Sequence, residues 1–303
     1  MEQNKTENAI PFVRELRKKV PILPILGLVI ALALSAGLVT SFDYDIGHFA
    51  YGSVMFYVTA AAIIAAAGFS AVYGKLAREK FSLASYPQSE PLTTCASYFT
   101  ALMAAITSAA AFYDAYLLFT HIPSTLEFFG IILLPALTVS AILGAHEKFR
   151  SSVVRIIFAL VAVLAVNFHM FACYFDFTLP LNSAVRNIIT IAQGGVLLFL
   201  LSEVRLALSP EKRAASPFFI FANAFAASGV LGISFGLAVY AFVSPHAAEM
   251  GVSVYRFACY FGIGLTALSR LLGLSASAGT YVAPPNPEES GETTKKQTKK
   301  AAR

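Results

Sequence analysis

Asp114 is a carboxylate near one end of an apolar run of membrane-spanning length. At helical spacing its face carries a stripe of small residues, Thr100, Ala104, Thr107, Ala110 and Ala111. Such a stripe lets a neighbouring helix approach closely, so we expect Asp114 to face other helices and not lipid. A carboxylate in a membrane is costly unless it is paired, protonated or hydrated. Asp114 is therefore a candidate proton carrier or cation ligand, or one half of a structural ion pair with Arg256 or Arg186.

His169, Cys173 and Asp176 form a second group, because the spacing of i, i+4 and i+7 places them on one helical face. A histidine titrates near neutral pH and a neighbouring carboxylate tunes it, so the line suits proton relay. The alternative is a single histidine that is hydrogen-bonded to another helix. The group lacks further ligands at the spacing of a zinc site, and neither a metal nor another cofactor is expected.

Arg256 and Arg186 lie near the ends of two apolar runs. An arginine at such a depth either extends to the interface or pairs with a carboxylate, for which Asp114 and Asp176 are the candidates. Both arginines also suit an anionic head group, and the sequence leaves these alternatives open.

Acidic and aromatic residues share one predicted surface, with Asp43, Tyr44, Tyr113 and Asp176 among them. Carboxylates beside aromatic rings suit a small cationic ligand, through ion pairing and cation–π attraction. Aromatic residues also concentrate at membrane interfaces for anchoring alone. A cation site and an aromatic belt are both compatible with this surface.

Enzyme motifs have no support in the pattern. The stretch from Gly232 to Gly236 matches GxSxG through Ser234, but that motif needs a strand-to-helix turn, and here it lies inside an apolar run. GxxxG packing against another helix is the better interpretation of the two glycines. The three cysteines have no CxxC spacing and are expected to be buried small side chains.

The elements that position these residues are long apolar stretches. Apolar residues make up 57% of the 303 residues and charged residues only 13%, about half the charged fraction of a soluble domain. Because a helix needs about 20 apolar residues to cross a bilayer, the chain predicts an all-α bundle of eight transmembrane helices. They span 21–42, 50–73, 95–120, 124–145, 154–175, 184–202, 216–243 and 252–274.

The basic residues predict the orientation. Of the 22 Lys and Arg residues, all but Arg186 and Arg256 lie at one end of the predicted spans. By the positive-inside rule both termini are then cytoplasmic, in a multi-pass protein of the cytoplasmic membrane. The net charge of +5 follows from the same bias and indicates contact with anionic lipid head groups, not nucleic acid.

Three regions follow: a basic cytoplasmic tail over 1–19, the helical bundle over 20–274, and a disordered Lys-rich cytoplasmic tail over 275–303. No loop is long enough for a soluble domain, which argues against a nucleotide-driven pump or a kinase. The leading hypothesis is a small-solute transporter or permease linked to a cation or proton, with a site built from Asp114, His169, Asp176 and Arg256. The alternative is a non-catalytic membrane subunit or scaffold that binds lipids or partner helices. An intramembrane enzyme acting on a lipid-linked substrate is the third and less favoured hypothesis.

Overall fold

Helices dominate the fold, which we describe from a computed structural model. It describes residues 23–43, 48–49, 53–76, 91–117, 124–149, 152–175, 184–208, 216–244, 247 and 252–277. The helices are α1 (Leu23–Ser41), α2 (Val54–Leu76), α3 (Pro91–Phe112), α4 (Thr125–Leu133), α5 (Pro135–Ala145), α6 (Val153–Tyr174), α7 (Ala184–Leu208), α8 (Pro217–Phe225), α9 (Leu231–Val243) and α10 (Val254–Ser277). Two-residue strands, β1 (Phe42–Asp43) and β2 (His48–Phe49), pair antiparallel after α1.

Seven helical segments of the described chain are long and apolar enough to cross a membrane. Two of them contain an irregular turn: Leu134 joins α4 to α5 in Thr125–Ala145, and the π-helical turn Ala226–Val230 joins α8 to α9 in Pro217–Val243. By the length and composition of these helices, the prediction of a multi-pass helical membrane protein is confirmed. The first predicted span corresponds to α1, whose apolar stretch Pro24–Thr40 is shorter than the other seven.

Residue chemistry explains where several helices begin. Ser124, Ser152 and Ser216 each precede a helix, and each side chain accepts a hydrogen bond from a backbone N–H of the first turn. A serine in this position satisfies a donor that the helix itself leaves open. Pro217 then occupies the first turn of α8, where its missing N–H costs nothing.

The centre of the bundle is formed by the last two spans. The most apolar window of Val254–Ser275 is 72% buried and that of Pro217–Val243 is 67% buried, against 22% for Val54–Lys75 and for Val153–Tyr174. Helix α10 packs against α3, α7, α8 and α9. The other segments surround this centre, and their large exposed residues, such as Ile64 of α2, form the surface that suits lipid.

Gly232 and Gly236 bring α9 against α1. A Cβ atom at Gly232 would lie 2.5 Å from the carbonyl oxygen of Ala31, and one at Gly236 would lie 2.7 Å from the Cβ of Leu38. The Ser35 hydroxyl also donates a hydrogen bond of 3.1 Å to the Gly232 carbonyl. The prediction that these glycines pack two helices closely is confirmed, and their order shows that α1 and α9 run parallel.

We name the two ends of the bundle by their charges. The basic end is where α2, α5, α7 and α10 finish, and it includes Lys75 and Arg205. The acidic end is where α1, α3, α6 and α9 finish, and it includes Asp43 and Asp114. The predicted tail over 1–19 and residues 278–303 of the predicted C-terminal tail lie outside the described residues.

Candidate functional site

The first cavity lies between α3, α4, α5, α6 and α10, in the half of the bundle nearer the acidic end. We call it the outer cavity. Its walls include Thr107, Gly130, His169, Arg256 and Tyr260. It encloses about 430 Å³ counting its open mouth, and its deep part has room for about one water molecule.

His169 begins a polar chain beside the outer cavity. Its Nε2 atom lies 3.6 Å from the Sγ atom of Cys173, and Gln193 Nε2 lies 4.0 Å from the same sulfur. Tyr260 of α10 lies in the wall of the same cavity. The helical spacing of His169 and Cys173 predicted one shared face, and the two side chains are in contact.

Gln193 ends this row of polar side chains and is completely buried. Its Oε1 atom accepts no hydrogen bond from the part of the chain that the structure describes. A buried amide oxygen without a donor costs free energy, so this position suits a water molecule or a donor group of a ligand.

Asp114 does not face the bundle interior, and the prediction that it would is wrong. It lies in a π-helical turn, Tyr113–Leu117, and is exposed, whereas Thr107 and Ala115 are buried. A π turn adds one residue to the helical repeat. Ala115 thereby takes the inward position that regular α-helical spacing assigns to Asp114.

The other predicted site residues have different outcomes. Arg256 is half-buried and lines the outer cavity with His169. Arg186 is buried and stacks on Tyr174, with its Cζ atom 5.3 Å from the ring centre. Asp176 lies outside the described residues. The structure therefore brings His169 and Arg256 to one cavity, and Asp114 is not among the residues that line it.

The second cavity lies nearer the basic end, between α3, α5, α7 and α10. We call it the inner cavity. It encloses about 360 Å³ counting its mouth, and its deep part has room for about two water molecules. Four hydroxyl side chains and two charged side chains line it: Ser97, Thr100, Ser140, Thr266, Glu203 and Arg270.

Glu203 is held by two arginines from different helices. Arg155 of α6 donates from Nη2 to Glu203 Oε2 over 2.6 Å. Arg270 of α10 donates from Nη1 to Oε1 and from Nη2 to Oε2, the second bond being 3.0 Å long. The three residues are 1%, 2% and 5% exposed for Arg155, Arg270 and Glu203. Pairing of this kind is what allows charged groups to remain buried.

Sequence reasoning missed this triad. Arg155 and Arg270 were counted only as basic residues that predict orientation, and Glu203 lies one residue beyond the predicted end of its span at 202. A usable signal was present, because ionisable residues within apolar helices face the interior and pair with one another. The pairing itself, between positions far apart in sequence, was not readable from spacing.

Leu137 lies in the wall of both cavities. It is 2% exposed and follows the interruption between α4 and α5. Pro135 causes that interruption, since it has no N–H to donate to Ile131, whose carbonyl instead accepts from Leu134 over 3.3 Å. The span with this irregular turn thus carries an apolar residue that both cavities share.

Comparison with known proteins finds no match: no family model fits the chain, and neither a curated protein nor a solved structure is similar to it. Within the described residues, no three His, Cys, Asp or Glu side chains are grouped as metal ligands would be.

Proposed function

We propose that the chain is a small-solute transporter with a route between α3, α4, α5, α6, α7 and α10. The observation that carries the proposal is a pair of cavities, each with charged or hydroxyl side chains in its wall, that share Leu137 as a wall residue. Alternating access requires a site that opens to one side of the membrane at a time. Such a cycle includes an occluded state, in which an apolar residue closes the passage between the two cavities.

The interrupted span supplies the moving part in this proposal. The α4–α5 break lies at Pro135, and Leu137 follows it by two residues. Interrupted helices beside a central site are a recurring feature of transporters, because the break lets one half move relative to the other. A small rotation of α5 would withdraw Leu137 and join the inner and outer cavities.

The outer cavity contributes ligand and proton positions. His169 and Arg256 line it, and Asp114 and Asp176 remain candidate ligands in this proposal. Coupling to a proton or cation at these residues remains part of the proposal.

Eight spans with both termini on the cytoplasmic side are also part of the proposal. Helix α1 supplies the eighth span, and its packing against α2 and α9 supports this assignment. Ile25 and Val29 of α1 are exposed, while Leu34 and Leu38 are buried, so the helix has one face toward the bundle and one that suits lipid. The basic end would then contact anionic lipids of the inner leaflet.

The small volume of both cavities favours a second candidate function, that of a non-catalytic membrane subunit. Each cavity has room for only about one or two water molecules, which is less than a solute needs. In a subunit the cavities would be packing defects filled by water and would never open.

Cysteine accessibility distinguishes the two functions. With the native Cys95, Cys173 and Cys259 replaced, Thr107→Cys reports on the outer cavity and Ser140→Cys on the inner one. Membrane-impermeant thiol reagents would be applied to sealed vesicles of each orientation. For a transporter we expect each position to react mainly from its own side.

The matched control is Ile64→Cys on α2, because Ile64 is 73% exposed on a surface that suits lipid. A transporter predicts that both cavity positions react much faster than this control. If both are as unreactive as Ile64→Cys from either side, the cavities do not open and the subunit function is favoured. The same vesicles, with a cysteine introduced at Asn4 or Lys296, test whether both tails are cytoplasmic.

A further inference from the structure

The inner cavity contains two buried hydroxyls with capacity to bind a ligand. Ser97 is 3% exposed and Ser140 is 8% exposed, and both line the cavity. Neither side chain hydrogen-bonds to any residue that the structure describes, although Thr100 and Thr266 donate to carbonyls of their own helices. Buried hydroxyls at a cavity wall need a partner, and a group with acceptor oxygens would provide it.

Arg270 is the charged donor in the same wall. It already binds a carboxylate, that of Glu203, through two parallel hydrogen bonds. A guanidinium matches the two oxygens of a carboxylate, so a ligand carboxylate would fit the same two donors. The cavity that Arg270 lines has room for about two water molecules, so it must widen to admit a whole ligand behind the carboxylate.

The charges around Glu203 determine what happens to its carboxylate when a ligand binds Arg270. Among the described residues, the charges that act on this carboxylate are those of Arg270 from α10 and Arg155 from α6. Gly144 from α5 and the hydroxyls from α3 bring no charge. If a ligand carboxylate binds Arg270, Glu203 loses the two hydrogen bonds that Arg270 donates to it inside the membrane. Arg155 still pairs with Oε2, but Oε1 has lost its donor and the ligand carboxylate lies beside it, and a neighbouring like charge favours the protonated form of a carboxylate.

We propose that the inner cavity binds the carboxylate of a small monocarboxylic acid, which replaces Glu203 on Arg270 while Glu203 takes up one proton. The proton adds to a carboxylate oxygen of Glu203, and no covalent bond of the ligand changes. One negative charge enters with the ligand and one is neutralised on Glu203, so the charge of the site is unchanged. This inference rests on the proposed transport function and names its substrate class as a carboxylate carried with a proton.

Pyruvate is the probe for the first test, with inorganic phosphate, chloride and choline for comparison. The melting temperature of the purified full chain in detergent would be measured against each compound, since a ligand of the folded state stabilises it. We expect a saturable rise with pyruvate and none with choline. An equal rise with phosphate or with phosphatidylglycerol would overturn the carboxylate class, in favour of a free phosphate or a lipid head group.

Glu203→Gln tests the exchange. Glutamine has no charge to compete for Arg270, so we expect pyruvate to bind this variant at least tenfold more tightly than the wild type. In proteoliposomes the variant should exchange labelled pyruvate across the membrane but no longer accumulate it when a pH gradient is applied. Unchanged pyruvate affinity in a folded Glu203→Gln protein would overturn the proposal.

A second variant keeps the proposal testable if Glu203→Gln does not fold. A Cβ at Gly144 would lie 3.9 Å from Glu203 Oε2 and 4.0 Å from Arg155 Nη2, which are ordinary contact distances. Gly144→Ala should therefore fold, narrow the cavity and weaken pyruvate binding at least fivefold. Gly68→Ala is the matched control, because nothing lies within 4 Å of its added Cβ. Equal affinities in the two variants would count against the inner cavity as the site.

Binding and transport can fail separately. Pyruvate that binds with the expected dependence on Glu203, but is not taken up, supports the site and overturns the transport function. Saturable uptake of choline without any response to pyruvate supports transport and overturns the carboxylate class.

Discussion

Arg270 binds Glu203 through both carboxylate oxygens, so the pair has the two-point geometry that only a guanidinium offers. A lysine at position 270 would supply one point charge and leave one carboxylate oxygen without this donor. We expect Arg270→Lys to lower the free energy of unfolding by about 1.5–3 kcal/mol, the cost of a lost hydrogen bond to a buried charged group. The midpoint of denaturant unfolding in detergent micelles measures the effect.

Arg205→Lys is the control for that substitution. Arg205 lies at the same end of the bundle but is exposed, with its Cζ atom 5.8 Å from the Phe218 ring centre. A change there should stay within about 0.5 kcal/mol, as surface substitutions usually do. Equal losses of unfolding free energy in Arg270→Lys and Arg205→Lys would mean that the two buried hydrogen bonds of Arg270 add no stability of their own.

Gly232→Ala tests the close contact between α1 and α9. The added Cβ would lie 2.5 Å from the Ala31 carbonyl oxygen and 2.8 Å from the Leu34 Cβ, so α1 would have to move. Overpacking of this kind costs about 1–3 kcal/mol, and we expect a lower melting temperature. Gly68→Ala meets nothing within 4 Å and should be neutral or slightly stabilising. A stable Gly232→Ala protein would show that α1 is only loosely attached.

Leu137→Ala tests the separation of the two cavities. Removal of this buried side chain should lower the free energy of unfolding by about 2–5 kcal/mol and leave a continuous polar route. If the route conducts solute, proteoliposomes should leak small labelled solutes that the wild type retains. The control is Ile142→Ala on the same helix, because Ile142 is 38% exposed and lines neither cavity. Destabilisation without any leak would argue that Leu137 is only a packing residue.

Much of the fold could be predicted from the sequence, because a helix that crosses a bilayer must match its thickness and its apolar interior. Apolar runs of spanning length located the helices, although the predicted end at 202 falls short of the observed end at Leu208. The spacing of Gly232 and Gly236 identified a packing face. Pro135 also marked the interrupted span. These are local signals, since each depends on residues within one helix.

The site was less predictable because its geometry depends on several helices at once. Asp114 was assigned to the interior from regular spacing, and a π turn of five residues changed that position. The partners of Glu203 come from positions 155 and 270, and sequence spacing carries no information on which helices are neighbours. Charged residues inside apolar runs were the available signal. The basic residues among them are explained equally well by the positive-inside rule.

Pro135→Ala separates a moving α5 from a static one. Alanine restores a backbone N–H that can bond to Ile131, so α4 and α5 should join into one helix. Because proline in a helix interior costs up to about 3 kcal/mol relative to alanine, we expect the melting temperature to rise. In a transporter that uses this break as a hinge, uptake should fall although the protein is more stable. Pro217→Ala is the control, since Pro217 lies at the start of α8 and its replacement should change neither property. Uptake that is unchanged in a stabilised Pro135→Ala protein would exclude the break as the hinge.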